Sequence, residues 1–172
     1  MITLEVDGLS FTFEDSLSVG KYDDWAFYRR HFSKIQNGIK AVDLIAVEGE
    51  TVWLIEVKDY RSQQRTKAID LADEVAQKVI FTLAAMLPAK VNASVEEERN
   101  LAEKVSRVQE IRVVLYLEQP SKKSKLFPHA FDLGNIQLKL KSVIRSIDPH
   151  PKVVDMARMQ QQRSANLPWL VE

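Results

Sequence analysis

An aspartate, a glutamate and a lysine interrupt two otherwise apolar runs of this chain. Residues 40–47 read Lys-Ala-Val-Asp-Leu-Ile-Ala-Val and carry Asp43; residues 51–58 read Thr-Val-Trp-Leu-Ile-Glu-Val-Lys and carry Glu56 and Lys58. β-Branched and aromatic residues dominate both runs, so both are expected as strands, joined as a hairpin across Gly49-Glu50. Strand side chains alternate, which places Val52, Leu54, Glu56 and Lys58 on one face and Trp53, Ile55 and Val57 on the other. Both faces are apolar, as in a strand buried on both sides, where an unpaired charge is expensive. Glu56 and Lys58 therefore need partners.

Register arithmetic locates the first partner. A two-residue turn with Gly49 in its first central position suits type II′ geometry and pairs 48 with 51, and hence 43 with 56. Directly opposed residues have Cβ atoms roughly 4.5–5.5 Å apart, so Asp43 and Glu56 would lie side by side with Lys58 next to them. Like charges there repel. A shared proton, a lysine or a divalent cation would compensate, and hard oxygen ligands favour Mg²⁺ or Mn²⁺. One more residue in the loop would turn Asp43 to the opposite face.

The elements around this pair follow from patterning. Residues 2–6 and 9–14 alternate about Asp7-Gly8 and read as an N-terminal hairpin. Trp25, Tyr28, Phe32 and Ile35 fall at helical spacing over 23–36, although 26–32 could also be extended. A helix is expected over 68–87, with Ile69, Ala72, Ala76, Val79, Leu83 and Met86 inward and Pro88 ending it. Ser94 and Glu97 read as a capping box for a second helix running to about Val108. Residues 111–118 read as a strand reached by a crossover. After a Lys-rich loop at 121–125, a helix is expected over 133–147, with Ile136, Leu140, Val143 and Ile147 inward, and the last 20 residues look peripheral. Without repeats or a long linker, the chain reads as a single mixed α/β (α+β) domain over 1–172.

Composition narrows the classes of function. The 172 residues are 45% hydrophobic and balance 24 Lys+Arg against 24 Asp+Glu, so whole-chain charge does not announce a nucleic-acid binder. The distribution is uneven: residues 1–60 hold 6 basic and 11 acidic side chains, while 121–163 hold 9 basic and 3 acidic. With no cysteine, thiolate metal sites and cysteine nucleophiles are excluded. His31, His129 and His150 lack the short spacings of zinc motifs, and no glycine-rich phosphate loop occurs. The start lacks the charged and apolar regions of a secretion signal, and the longest apolar stretch, 79–89, is too short for a membrane span, so a cytoplasmic protein is expected.

Val42-Asp43 followed, after a gap of 12 residues, by Glu56-Val57-Lys58 resembles the PD-(D/E)XK, or restriction-endonuclease-like, superfamily over roughly residues 20–118. The resemblance implies a central mixed β-sheet flanked by helices and a Mg²⁺-dependent (or Mn²⁺-dependent) endonuclease acting on nucleic acid, DNA rather than RNA; the small size and neutral charge, with no separate recognition domain, lead to the expectation of a homodimer or of one subunit of a larger complex. It implies Asp43, Glu56 and the Val57 carbonyl as metal ligands and Lys58 as the residue that orients or activates the attacking water, with the metal polarising the scissile phosphate. Val42 stands where the family usually has proline. The family's first core strand has no obvious counterpart: either 26–32 or the N-terminal hairpin would supply it. An upstream acid near the metal would be Glu14 or Asp24.

Lys78, beside Gln77 on the polar flank of the 68–87 helix, is a further site candidate, and Arg61 and Tyr60 could meet a phosphate and a base. Lys122, Lys123 and Lys125 are candidate nucleic-acid contacts, joined in a pure binding reading by Lys139, Lys141 and Arg145. A competing reading makes Asp43, Glu56 and Lys58 a buried ion network in a catalytically inactive nuclease-like fold that serves as a nucleic-acid-binding or protein-interaction subunit.

Overall fold

The computed structural model describes residues 1–120, 131–161 and 167–172. Strands β1 (Ile2–Val6) and β2 (Leu9–Phe13) form the expected hairpin. Asp7 and Gly8 both have positive φ, 50° and 79°, the type I′ geometry that follows the natural strand twist. Next comes β3 (Ser18–Lys21), antiparallel to β4 (Leu44–Glu48). Neither 26–32 nor the hairpin supplies the first strand of the meander, as the sequence suggested; Ser-Val-Gly-Lys does. Its glycine hides it from propensity, and packing explains the glycine: a Cβ at Gly20 would lie 2.8 Å from Leu101 Cδ2 and 3.1 Å from Trp25 Nε1.

Strand β4 pairs with β5 (Thr51–Asp59) in the expected register, from Glu48↔Thr51 to Leu44↔Ile55. Gly49 has φ 57° and Glu50 is not among the residues with positive φ, as a type II′ turn requires. Two helices, α2 (Leu71–Asn92) and α3 (Glu96–Val105), then cross over to β6 (Glu110–Glu118), which runs parallel to β5. Helix α4 (Leu133–Ile144) leads to β7 (Lys152–Val154), parallel to β6, giving a five-stranded mixed sheet in the order β3-β4-β5-β6-β7. A short helix, α5 (Met156–Gln161), precedes β8 (Trp169–Val171), which pairs with β2 in a second, three-stranded sheet β1-β2-β8. The fold is mixed α+β.

The two faces of the large sheet carry two cores. On one, Ile45, Val47, Val52 and Leu54 pack under Val75, Val79 and Met86 of α2, Leu101 of α3 and Leu140 and Ile144 of α4. On the other, Leu44, Ala46, Trp53, Ile55 and Val57 pack against Phe11, Phe13 and Trp169 of the small sheet. Each such fully buried side chain contributes about 1.5–3 kcal/mol, which is why central β5 tolerates charge only at its C-terminal end.

Several local expectations are corrected by tertiary contacts. The segment 23–36 is no single helix: a 3₁₀ turn (Tyr22–Asp24), a short helix α1 (Ala26–Arg30) and a second 3₁₀ segment (Phe32–Asn37) follow one another, the last kinked at Ile35 and Gln36. The first N–H groups of α1, on Ala26 and Phe27, donate to the Glu98 carboxylate at 2.6 and 3.1 Å, so its cap comes from α3. Pro88 does not end α2, which continues to Asn92. Proline removes the bond to the Ala84 carbonyl on the exposed side, while buried Ala85, Met86 and Ala89 hold the helix onto the sheet. Ser94 does not cap α3; Val95 occupies that position without a side-chain bond. Helix α4 ends at Ile144, which is buried in place of the half-exposed Val143. Nor are the described residues among the last 20 peripheral, since β7 and β8 complete the two sheets and Trp169 is buried. Among the described residues, no helix is long and apolar enough to cross a membrane.

Candidate functional site

Asp43 stands just before β4, where four hydrogen bonds fix the chain. Its N–H donates to Ile55 O (3.2 Å), its carbonyl accepts from Tyr22 N (2.8 Å), its Oδ2 accepts from Val57 N (2.7 Å), and the neighbouring Val42 N–H donates to Thr82 Oγ1 of α2 (3.1 Å). The last bond gives a reason for Val42: a proline there would have no N–H to donate and would leave the buried Thr82 hydroxyl without this partner.

Extending the β4–β5 register by one pair brings 43 opposite 56. Glu56, on the helix-facing side of β5, is 1% exposed. Two ammonium groups converge on one of its oxygens: Lys58 Nζ lies 2.6 Å and Lys78 Nζ 2.5 Å from Oε1. The other oxygen, Oε2, is buried and accepts no hydrogen bond. Burial, and then the charge of Asp43, push the Glu56 carboxyl up to about 7 despite both lysines. Burial pulls Lys58 down, but the Glu56 carboxylate outweighs it and holds the lysine above its usual range.

The upstream acid facing this pair is Asp23 rather than Glu14 or Asp24. Asp24 is exposed and pairs with Lys21 and Arg29 at 3.3 and 3.5 Å, and Glu14 lies on the surface beyond β2. Asp23 Oδ1 is buried without a hydrogen bond, and burial followed by the Asp43 charge raises its carboxyl to about 6. Burial and the charges of Asp23, Asp43 and Glu56 also raise the Tyr28 phenol, whose hydroxyl donates to Ile39 O at 2.9 Å. The sequence signal for Asp23 was its place two residues after β3, invisible until that strand is known.

A cleft of about 240 Å³ opens beside Lys58, lined also by Tyr60, Gln63, Arg65, Thr66 and Lys67. Its wall is tied to α2 through Glu74, which meets Arg65 at 2.6 Å as an ion pair and accepts from Lys67. Tyr60 and Arg61 are engaged within the protein. Tyr60 lies against Phe131, ring centroids 5.3 Å apart, and its hydroxyl accepts from Arg65; Arg61 forks onto Asp59, with Nη2 2.6 Å from Oδ2. Lys139 bridges Asp70 and Asp73 at the start of α2, while Lys141 on α4 and Arg145 just after it are exposed. Lys122, Lys123 and Lys125 lie outside the described residues.

The donor set suits a divalent cation. Among the described residues no group of three or more Asp, Glu or His is arranged to hold a metal, but Asp43 and Glu56 offer carboxylate oxygens, one of them buried and unsatisfied. Mg²⁺ is commonly held by one or two carboxylates and keeps several waters. Asp43, Glu56 and the Val57 carbonyl are the groups that would hold it.

No family model matches the chain, and no solved structure matches it. A curated protein does: cysteine–tRNA ligase of Neisseria meningitidis serogroup A / serotype 4A is 29% identical over 207 aligned residues, which take in 99% of this chain and 30% of that protein. The chain thus spans less than a third of the length of the curated relative it matches. This likeness overturns the expected metal-dependent nuclease acting on DNA, because the related segment belongs to a tRNA ligase. Two carboxylates and a lysine in this arrangement do not by themselves establish that a bond is cut.

Proposed function

We propose that this domain is a tRNA-directed module with a tRNA-ligase-related role. The observation that carries the reading is the likeness to a cysteine–tRNA ligase over 99% of the chain. The site is chemically suited to such a partner. Lys58, Arg65 and Lys67 line one cleft together with Asp7 and Asp59, Lys58 paired with Glu56 and the other two with Glu74; Asp43 and Glu56 would hold Mg²⁺ or Mn²⁺ behind Lys58. When bound, the cation supplies positive charge that neutralises the carboxylate pair and attracts a phosphate oxygen of the RNA backbone. The Asp43, Glu56-Val57-Lys58 arrangement, followed by the α2–α3 crossover to a parallel β6, supports reading the fold as restriction-endonuclease-like. Here α1 lies inside the meander, between β3 and β4, instead of preceding it. With tRNA as its partner, the domain would work in the cytoplasm.

Fluorescence anisotropy with labelled tRNA, duplex DNA and an unstructured RNA of matched length, over a salt series, tests the reading. The expected result is preferential binding of tRNA that weakens as salt rises and is reduced by Lys58→Ala. Equal affinity for duplex DNA, or no binding of tRNA, would overturn it.

A further inference from the structure

The cations around Glu56 are unevenly placed. Both Lys58 and Lys78 crowd onto Oε1, while Oε2, equally buried, accepts nothing. The two lysines come from different elements. Lys58 follows Glu56 by two residues on β5 and shares its face of the sheet. Lys78 reaches down from α2, its side chain 11% exposed, and carries its ammonium group on a flexible four-carbon stem. A lysine in such a position is a tethered monovalent cation filling half of a place that a divalent ion would fill completely. Repulsion between Asp43 and Glu56 is relieved by a proton or a cation, because two ionised carboxylates at this depth destabilise each other.

We propose that Lys78 is a built-in competitor for the divalent-cation site, holding Glu56 Oε1 in the metal-free protein and giving it up as Mg²⁺ or Mn²⁺ enters. The inference rests on the reading that Asp43 and Glu56 hold such a cation. It makes occupancy of the site an exchange of one cation for another rather than a simple addition, so the carboxylates are never left bare. It also assigns the two lysines separate roles: Lys58 stays with Glu56 in both states, and Lys78 marks the metal-free one. The displaced ammonium remains next to the site, where it adds positive charge toward an arriving phosphate.

The test is Mn²⁺ binding followed by electron paramagnetic resonance and calorimetry. It compares wild type, Lys78→Met, Lys78→Gln, Asp43→Asn and, as a control for general charge, Lys21→Met, with circular dichroism confirming that each variant is folded. A second measurement is the amine-labelling rate of Lys78, read by mass spectrometry with and without Mn²⁺. Losing the competitor is expected to tighten Mn²⁺ binding about tenfold or more in both Lys78 variants, with a much smaller change in Lys21→Met. Mn²⁺ is expected to raise labelling of Lys78, but not of Lys139, in wild type. Wild-type binding abolished by Asp43→Asn but unchanged or weakened in the Lys78 variants overturns the competition while leaving the cation site standing. Tighter binding with no rise in Lys78 labelling overturns it too, since charge alone then explains the gain. No Mn²⁺ binding by wild type or by either Lys78 variant overturns both the competition and the cation site.

Discussion

Glu56 and Glu74 invite comparison: both are 1% exposed, and each meets two cationic side chains. Their carboxyls are nevertheless displaced in opposite directions. Burial and then Asp43 push Glu56 up to about 7. Burial also acts on Glu74, but Lys67 and Arg65, with the charge of Lys58 behind them, hold it at about 2. The placement of the cations and the presence of a second acid account for the difference. Glu74 has one cation on each oxygen and sits in the first turn of α2, where the helix dipole favours negative charge. Glu56 has both cations on one oxygen, an acidic neighbour and an unsatisfied second oxygen. The first is a closed ion cluster that fastens residues 65–67 to the helix. Neither Glu74 Oε2 nor Glu56 Oε2 accepts a hydrogen bond, but Arg65 Nη1 lies 2.6 Å from the first as an ion pair, while both cations at Glu56 lie on the other oxygen.

The largest effect expected from breaking this comparison comes at Glu74. Glu74→Ala strands Arg65 and Lys67 and should cost about 3–5 kcal/mol in urea unfolding at neutral pH; a loss below about 1 kcal/mol would erase the distinction.

Next is pH dependence in metal-free buffer. The folded carboxyl of Glu56 titrates above its unfolded value of 4.5, so its contribution to stability is complete below pH 4.5 and is lost as pH rises through 7. The expected fall is on the order of 3 kcal/mol, and Glu56→Gln should remove it. Glu74 runs the other way: its contribution is present above pH 4.5 and disappears as pH falls through 2, so Glu74→Gln should flatten the acid limb only.

A smaller effect isolates Asp43. Asp43→Asn should lower the Glu56 midpoint, followed by carbon NMR titration, and shrink the neutral-pH loss by about 1 kcal/mol; an unmoved midpoint would mean burial alone sets Glu56. The smallest effect belongs to the exposed Arg61–Asp59 fork, where Arg61→Ala should change stability by no more than about 0.5 kcal/mol.

Much of the frame was legible locally. Period-two alternation placed β4 and β5, Gly49 defined their turn, and turn plus alternation brought Asp43 opposite Glu56. Helix α2 showed in its apolar spacing, and β6 in its run of β-branched residues. The elements that were missed carry weak local signals. Strand β3 is four residues with a glycine that only Leu101 and Trp25 explain. Helix α1 is capped by a glutamate 72 residues away.

Short-range geometry, legible in the residues alone, set the hairpin register, the face that Glu56 and Lys58 share, and the need for a compensating proton or cation. Tertiary structure alone decided which cation that is. Lys78 is one polar residue among several on α2 until the helix is laid across the sheet, and only then does its ammonium reach Glu56 while Asp23 turns toward Asp43. Side chains far apart along the chain share an electrostatic environment only through packing, and within a few ångströms and a low local dielectric that environment sets which carboxylate is satisfied and which is left open.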